Sequence, residues 1–82
     1  MDNKKPIELS RAITVDGVET KTLTMREPLV MDQIAASEMS GSSAKQEVAL
    51  FANLCEVPVE ALHQVPLKDY VKLQEAYSTF LA

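Results

Sequence analysis

The chain has 82 residues, a net charge of −4 and a single cysteine. A chain of this length forms one domain at most, and its acidic balance argues against a dedicated nucleic-acid-binding protein, because neutralising phosphates requires clustered lysine and arginine. One cysteine cannot form an intramolecular disulfide, which suits a reducing compartment. No apolar run approaches the roughly 20 residues that span a bilayer, and residues 1–6 lack a signal-peptide core. We therefore expect a soluble, cytoplasmic protein.

The first part of the chain predicts a β-hairpin. Residues 1–6 are polar, and we expect them to be flexible, with a single domain following over residues 7–82. Apolar residues alternate over residues 7–15, which predicts a half-buried strand, and residues 18–26 are rich in threonine and β-branched side chains. Asp16-Gly17, which lies between these two segments, is a strong turn signal.

Two registers are open for this hairpin. A two-residue loop at Asp16-Gly17 places apolar residues of one strand opposite polar residues of the other. A three-residue loop, with Gly17 as a left-handed bulge, gathers the apolar residues on one face instead. The resulting pairs are Leu9 with Leu23 and Ile7 with Met25. We predict the three-residue, bulged turn and a helical layer that covers the apolar face.

A first helix is predicted directly after the hairpin. Pro28 ends the second strand and suits the first turn of a helix, so residues 29–39 are predicted to be helical. The inward-facing positions of this helix are Ile34 and Ala35. A linker rich in glycine and serine follows at residues 40–43.

The second helix has a recognisable start and end. Ser43 and Gln46 form a capping-box pattern, which predicts a helix over residues 44–55. Val57-Pro58 ends this helix, because the residue before a proline disfavours the helical conformation. Its predicted inward-facing residues are Val48, Phe51, Ala52 and Cys55, with Leu54 alongside.

Pro58 and Pro66 each suit the start of a new helix, which predicts a short third helix and a long fourth helix over residues 67–81. The apolar residues of the fourth helix sweep about 220° of its circumference, whereas a stripe of about 100° would cover one core. Two interpretations stay open: either neighbouring elements wrap this helix, or part of its apolar arc is exposed for a partner or a second copy. The candidate partner-binding residues are Tyr70, Leu73, Tyr77, Phe80 and Leu81.

Together these elements predict an α+β fold, in which an N-terminal β-hairpin (residues 7–26) packs on three to four helices (residues 29–82). The predicted structural junction between the two parts is formed by Arg26, Glu27 and Pro28. Arg26 and Glu27 either form a local ion pair, which is of little value when exposed, or fix the relative orientation of the two halves.

The chain offers little catalytic chemistry. Cys55 and His63 lie in different predicted helices, and a nucleophilic Cys–His pair needs a third group to orient it. Two such residues are also too few for a metal site. Glu56 and Glu60 are better explained as a solvated helix face than as paired catalytic carboxylates. We therefore expect no enzymatic activity, no cofactor and no metal.

One ordered set of short segments is distributed along most of the chain. It runs through Asp16-Gly17, Leu23-Thr24-Met25-Arg26-Glu27-Pro28, Gln46-Glu47-Val48-Ala49-Leu50, Val57-Pro58-Val59-Glu60-Ala61-Leu62, and Asp69-Tyr70 leading into Leu73-Gln74-Glu75-Ala76. This set resembles the small phage tail assembly chaperone family of Mu-like and related contractile-tailed phages and prophages. The resemblance spans residues 7–82. It departs from the family at Leu29, where similar proteins often have a small polar residue that caps the helix.

The resemblance implies a non-enzymatic role. Such proteins hold the helical tape-measure protein in an assembly-competent state while tail tube subunits polymerise around it, and they are not expected in the mature virion. The implied location is the host cell cytoplasm, and the implied partners are the tape-measure protein and the tail tube protein, with self-association as an open alternative. Two other functions stay open: a structural or adaptor subunit retained in the phage particle, or a small regulatory protein that binds a host factor.

Overall fold

The computed structural model describes residues 3–82, which form a two-stranded antiparallel sheet followed by four helices. The elements are β1 (Lys4–Val15), β2 (Val18–Arg26), α1 (Val30–Ser37), α2 (Ser43–Cys55), α3 (Val59–Leu62) and α4 (Leu67–Leu81). This order confirms the predicted α+β fold with its N-terminal hairpin and helical second part. The bounds of α4 agree with the sequence prediction, whereas α1 is shorter at both ends.

β1 begins earlier than the sequence predicts. Residues 4–6, which were expected to be flexible, belong to this strand: Lys4 pairs with Arg26, and Pro6 pairs with Thr24. A proline has no N–H for a sheet ladder and is tolerated in a strand at the edge of a sheet, which is the position of both strands in a two-stranded sheet. The first two residues of the expected flexible segment, Met1 and Asp2, lie outside the described residues.

The hairpin turn is a two-residue loop, so the predicted three-residue bulged turn is wrong. Val15 pairs directly with Val18. The two residues between them, Asp16 and Gly17, have φ angles of 51° and 80°. Positive φ at both positions is the mark of a type I′ turn, whose twist matches that of the flanking strands. Gly17 adopts this conformation without steric cost.

The irregularity of the hairpin lies inside β1 instead of in the turn. Between Glu8 and Ile13 the pairing with β2 shifts, so that residues 9–12 lie opposite Lys21 alone. The predicted pairs therefore do not form: Ile7 pairs with Leu23 rather than with Met25, and Leu9 lies in the irregular segment. The extra residues bring the apolar side chains of both strands to one face. The buried members of this face are Ile7, Leu9, Ile13, Leu23 and Met25.

A buried carboxylate of α4 holds the irregular segment in place. Asp69 has no exposed surface, and its Oδ2 accepts hydrogen bonds from the backbone N–H of Ser10 (3.0 Å) and from its hydroxyl (2.8 Å). The Nζ of Lys72 lies 3.3 Å from Oδ1. Burial raises the pKa of Asp69, but the Ser10 hydrogen bonds and the Lys72 charge outweigh it, so that the pKa is lowered overall.

The apolar face of the hairpin packs on α2 and α4. At the centre of this core the Phe51 ring lies 5.6 Å from the Tyr70 ring and 5.5 Å from the Tyr77 ring, measured between centroids. Tilted aromatic pairs at this spacing stabilise a core beyond their buried area. The predicted inward stripe of α2 is confirmed, since its buried residues are Phe51, Ala52, Leu54 and Cys55, with Val48 half-buried beside them.

The start of α2 differs from the predicted capping box. The N-cap is Ser42, whose hydroxyl accepts a hydrogen bond from the Lys45 N–H (3.2 Å). The amide of Gln46 donates to the backbone oxygen of Met39 (3.0 Å) and so ties the end of the preceding segment to α2. α2 ends at Cys55, as predicted, and Glu56 at its C-cap takes a left-handed conformation (φ 59°).

Candidate functional site

α1 is amphipathic in an inverted sense: it buries a carboxylate and exposes its apolar side chains. Asp32 is 7% exposed, whereas Val30, Met31 and Ile34 are 77%, 75% and 51% exposed. The prediction that Ile34 and Ala35 face inward is therefore wrong, because both side chains are exposed. A helix normally turns its apolar stripe toward the core, so a specific interaction must hold α1 in this orientation.

That interaction centres on Asp32. The guanidinium of Arg26 makes a two-pronged ion pair with it, with Nη2 at 2.8 Å from Oδ1 and Nη1 at 2.9 Å from Oδ2. The side-chain amide of Asn53, in α2, donates to Oδ1 at 3.0 Å. Two-pronged arginine–carboxylate pairs fix orientation as well as distance. The hairpin, α1 and α2 therefore meet at this carboxylate.

Asp32 also stabilises the start of α1. The helix begins at Val30, and Leu29 at the N-cap position has no side-chain acceptor. Asp32 accepts the Leu29 N–H at 2.8 Å, which is one half of a capping box. The hydrogen bonds from Arg26 lower the pKa of Asp32, and those from Leu29 and Asn53 add to this effect; together they outweigh its burial. The same pair raises the pKa of Arg26.

The three junction residues differ in their contacts. The structure shows Arg26 paired with Asp32, while its contact with Glu27 is a 3.3 Å hydrogen bond to the backbone oxygen of Glu27. The Glu27 carboxylate accepts a hydrogen bond from the side chain of Asn3 at 3.1 Å. Pro28 is half-buried between the hairpin and α1.

Four exposed apolar residues at the start of α1 and its N-cap form a patch, which we call the α1 face: Leu29, Val30, Met31 and Ile34. Among the described residues nine large apolar side chains are exposed, and four of them belong to the α1 face. Such a concentration marks an interaction surface more strongly than scattered apolar residues do. Sequence analysis missed the α1 face, although a signal was present: Asp32 lies about 160–200° around the helix from Val30 and Ile34, on the opposite side.

A groove runs beside α1, where it packs on α2. Its volume is about 360 Å³, and it joins a second groove of about 370 Å³ that extends toward His63. Both grooves are lined by Met39, Ala49 and Val59. None of the residues of the α1 face lines either groove, so the face and the grooves are separate surfaces.

The candidate residues on α4 have different environments. Leu73 has no exposed surface, and Leu81 is 65% exposed. Tyr70, Tyr77 and Phe80 are half-buried and pack against the core. The core thus takes up most of the broad apolar arc of α4, and the arc's exposed part is limited to its edges.

Two of these aromatic residues have further partners. The Tyr70 hydroxyl donates a 2.8 Å hydrogen bond to the Glu47 carboxylate, and burial with this carboxylate raises the pKa of Tyr70. The Nζ of Lys5 lies 4.9 Å from the centre of the Phe80 ring. On the other edge of the arc, Leu67 (82% exposed) borders a groove of about 500 Å³ between α2 and α4.

The residues considered for catalysis have environments that differ in exposure. Cys55 is buried, and burial raises its pKa to about 11, so that the thiol is protonated near neutral pH and is a poor nucleophile. His63 is exposed. Within residues 3–82 there is no cluster of three or more histidine, cysteine, aspartate or glutamate side chains that could hold a metal ion. None of the described helices is both long enough and apolar enough to span a membrane.

Comparison with protein families gives one match over nearly the whole chain. The family is described as phage tail assembly chaperone proteins, E, or 41 or 14, and its model matches residues 6–82. Comparisons with curated proteins and with solved structures gave no match. The matched range includes the hairpin from Pro6 onward, the Arg26–Asp32 pair and all four helices. The chain therefore belongs to the family of phage tail assembly chaperone proteins.

Proposed function

We propose that this protein binds the tape-measure protein of its phage and keeps it competent for assembly while the tail tube polymerises. The observation that carries this proposal is the exposed α1 face on a member of a tail assembly chaperone family. A long helical client displays apolar stripes before the tube surrounds it, and an apolar strip of the chaperone can cover them. The role is non-enzymatic.

The size of the α1 face suits a chaperone that must later release its client. α1 has eight residues, so it is about 12 Å long. One face of such a helix buries much less area than a permanent interface, which favours a weak and reversible contact. The protein would act in the host cytoplasm, in a phage of the Mu-like contractile type, and would leave before the virion matures. The tail tube protein is a second candidate partner.

The exposed part of α4 extends this proposal. We propose that Leu81, with the exposed rims of Tyr70, Tyr77 and Phe80, forms an additional contact for the client. Leu73 has no exposed surface, so its part would be to support these side chains from the core. Tyr70 and Tyr77 both pack on Phe51, and substitutions there would disturb folding as well as binding. Leu81 is therefore the better position for a test.

The test is co-expression with the tape-measure protein encoded by the same phage. We expect the tape-measure protein to be more soluble when the chain is present and to purify with it. Leu81→Asp is expected to reduce the amount recovered while the melting temperature of the chain stays within about 2 °C of the unchanged protein, because Leu81 is largely exposed. The chain expressed with an unrelated coiled-coil protein is the control.

Mass spectrometry of purified virions separates this function from its alternatives. We expect the chain to be absent from mature particles. Its presence in a stoichiometric amount would contradict the chaperone role and favour a structural or adaptor subunit. Recovery of a host protein in place of the tape-measure protein would favour a regulatory role.

A further inference from the structure

We propose that the outer edge of β2, the edge that faces away from β1, pairs with the same edge of a second copy of this chain. Two hairpins then form one four-stranded antiparallel sheet. This inference goes beyond the proposed function and does not depend on the identity of the client. A two-stranded sheet has two outer edges, and each presents backbone N–H and C=O groups that a further strand can bind. In this hairpin the two edges differ.

Side chains from the helical part cover the outer edge of β1. The side-chain amide of Gln64 accepts the backbone N–H of Thr14 and donates to its backbone oxygen, at 2.9 Å in both cases. A strand added along β1 would have to displace this pair of bonds and two others. These others join the N–H of Ser10 to Asp69 at 3.0 Å and the backbone oxygen of Glu8 to Lys72 at 2.9 Å.

The outer edge of β2 has no such cover. In the part of the chain that the structure describes, no group of the helical part forms a hydrogen bond with the backbone of β2. β2 has nine residues and contains neither proline nor glycine, which would weaken it as a template for a further strand. Lys21 is the one lysine on this edge. The chain therefore has one open edge and one covered edge.

Burial shows which backbone groups of β2 point outward. Met25 has no exposed surface, so its N–H and C=O must bond to the opposite residue of β1, Lys5. Because the direction of these groups alternates along a strand, those of Thr22 and Thr24 point away from β1. Pro6, which lies opposite Thr24, fits this direction because it has no N–H to donate across the hairpin. Thr22 and Thr24 are both exposed.

A second copy fits this edge in an antiparallel register. With a two-fold axis at Thr24, the segment Thr22–Arg26 lies opposite the same segment of the second copy. Thr24 then faces Thr24 on the outer side of the sheet, and Leu23 faces Met25 on the core side. About six backbone hydrogen bonds join the two segments. The edge is thus complementary to itself in both polarity and hydrogen bonding.

The charges along the edge allow this pairing. Arg26 is the one charged residue of the paired segment, its charge is matched by Asp32 at 2.8 Å, and it lies opposite Thr22 of the second copy. Just beyond the segment, Lys21 of one copy comes opposite Glu27 of the other. The charged residues of β1 beside this segment lie one strand further from the second copy: Lys4, Lys5 and Glu8. No two like charges lie directly opposite each other.

The two edges together favour a second copy over other occupants. A helical client has its backbone groups bonded within the helix, so it cannot extend a sheet. Because the outer edge of β1 is covered, association through β2 closes at two copies instead of continuing into a fibre. The paired segment is short, which favours a weak dimer that depends on concentration.

Sedimentation equilibrium of the full-length chain measures the association. We expect the mass to rise from 9.0 kDa toward twice this value between about 10 µM and about 1 mM. Thr24→Lys places two lysines opposite each other at the axis, and Thr14→Lys adds the same charge at an exposed threonine on the covered edge. We expect Thr24→Lys to weaken association about tenfold at low salt and Thr14→Lys to leave it within about twofold. Unchanged melting curves show that both variants fold.

Disulfide crosslinking tests the register. Directly opposite residues that share backbone hydrogen bonds have Cα atoms about 5.5 Å apart, which a disulfide can bridge. We expect most of the Thr24→Cys variant to oxidise to a covalent dimer, whereas Thr14→Cys stays mainly monomeric. The native Cys55 is buried and does not compete.

The outcomes separate this inference from the proposed function. A chain that stays monomeric up to about 1 mM overturns the inference, and so does a dimer that neither responds to Thr24→Lys nor crosslinks through Thr24→Cys. Open-ended assemblies would contradict the closure at two copies. A Thr24→Cys crosslink to the co-expressed tape-measure protein, in place of one to a second copy, also overturns it. Capture of the tape-measure protein is measured independently, so either proposal can fail while the other stands.

Discussion

At the residue scale, the contacts of Asp32 decide which side of α1 faces the solvent. Its carboxylate accepts hydrogen bonds from Arg26, Leu29 and Asn53, which belong to β2, to the start of α1 and to α2. Removing a buried carboxylate from its donors is costly, so α1 cannot rotate to bury its apolar side without losing the contacts with Arg26 and Asn53. The exposed α1 face is the consequence of this one buried acid.

We expect Arg26→Ala to destabilise the fold by about 1–2 kcal/mol, because the nearly buried Asp32 carboxylate loses the two hydrogen bonds that Arg26 donates to it. The value is below that of a fully buried pair because the Arg26 side chain is 27% exposed. Urea denaturation measures the change, with the exposed Arg11→Ala as the matched control. A double-mutant cycle with Asp32→Asn should show that the two substitutions are not additive. An unchanged denaturation midpoint in Arg26→Ala would contradict this structural role.

At the scale of the elements, α1 differs from the other long helices in how it is attached. α2 and α4 bury Phe51, Leu54 and Leu73 in the common core, whereas the buried residue of α1 is Asp32. The main packing partner of α1 is α2. An element with few buried apolar contacts opens locally at a lower free energy than the core does. α1 is thus the least firmly held long helix.

Hydrogen exchange measures this difference. We expect backbone amides in the second half of α1 to exchange at least about tenfold faster than those around Leu73 in α4, because local opening of α1 leaves the core intact. Binding of the client should slow exchange in α1 more than in the hairpin. Equal protection of α1 and the centre of α4 would show that the two helices unfold only together.

Short-range patterns in the sequence predicted the elements well. The alternation in β1, the Asp16-Gly17 turn signal and the two prolines before α3 and α4 are local features, and each gave an element of the correct type. The inward stripe of α2 could be predicted as well, because its apolar residues follow the helical period. They include Phe51, which packs against Tyr70 and Tyr77 in the core.

The remaining features depend on contacts between residues far apart in the chain. The irregular segment of β1 is held by Asp69, which lies 59 residues after Ser10, and Thr14 is bonded by the side chain of Gln64 across 50 residues. The orientation of α1 depends on Asn53, 21 residues after Asp32. Periodicity places Asp32 opposite Val30 and Ile34, but no local pattern reveals which of the two sides finds its partners inside the fold. The register of the hairpin likewise depends on contacts that no local pattern shows.

At the scale of the whole molecule, two carboxylates fasten the hairpin to the helices at different places. Asp32 joins the end of β2 to α1 and α2, and Asp69 joins the irregular segment of β1 to α4. Arg26 lowers the pKa of Asp32, and hydrogen bonds from Ser10 help to lower that of Asp69 against the effect of burial. The stability of the fold therefore depends on both groups staying ionised.

This arrangement predicts a loss of stability in acid. Because the pKa of each group is lower in the folded chain than the ordinary value of about 4, the unfolded chain binds more protons at low pH. The contribution of both carboxylates is complete above about pH 5 and is lost as the pH falls below about 4 and through their folded pKa values. Urea denaturation between pH 7 and pH 3 should show a midpoint that is nearly constant at first and then falls.

The variants Asp32→Asn and Asp69→Asn identify the groups responsible. We expect each to be less stable than the unchanged chain at pH 7, and to lose less further stability between pH 5 and pH 3, because one of the titrating carboxylates is absent. Glu19→Gln, which removes an exposed carboxylate on the hairpin, is the matched control and should retain the full acid dependence. The contrary result is that both aspartate variants lose stability in acid as steeply as the unchanged chain does. That result would contradict the prediction, because carboxylates other than Asp32 and Asp69 would then cause the pH dependence.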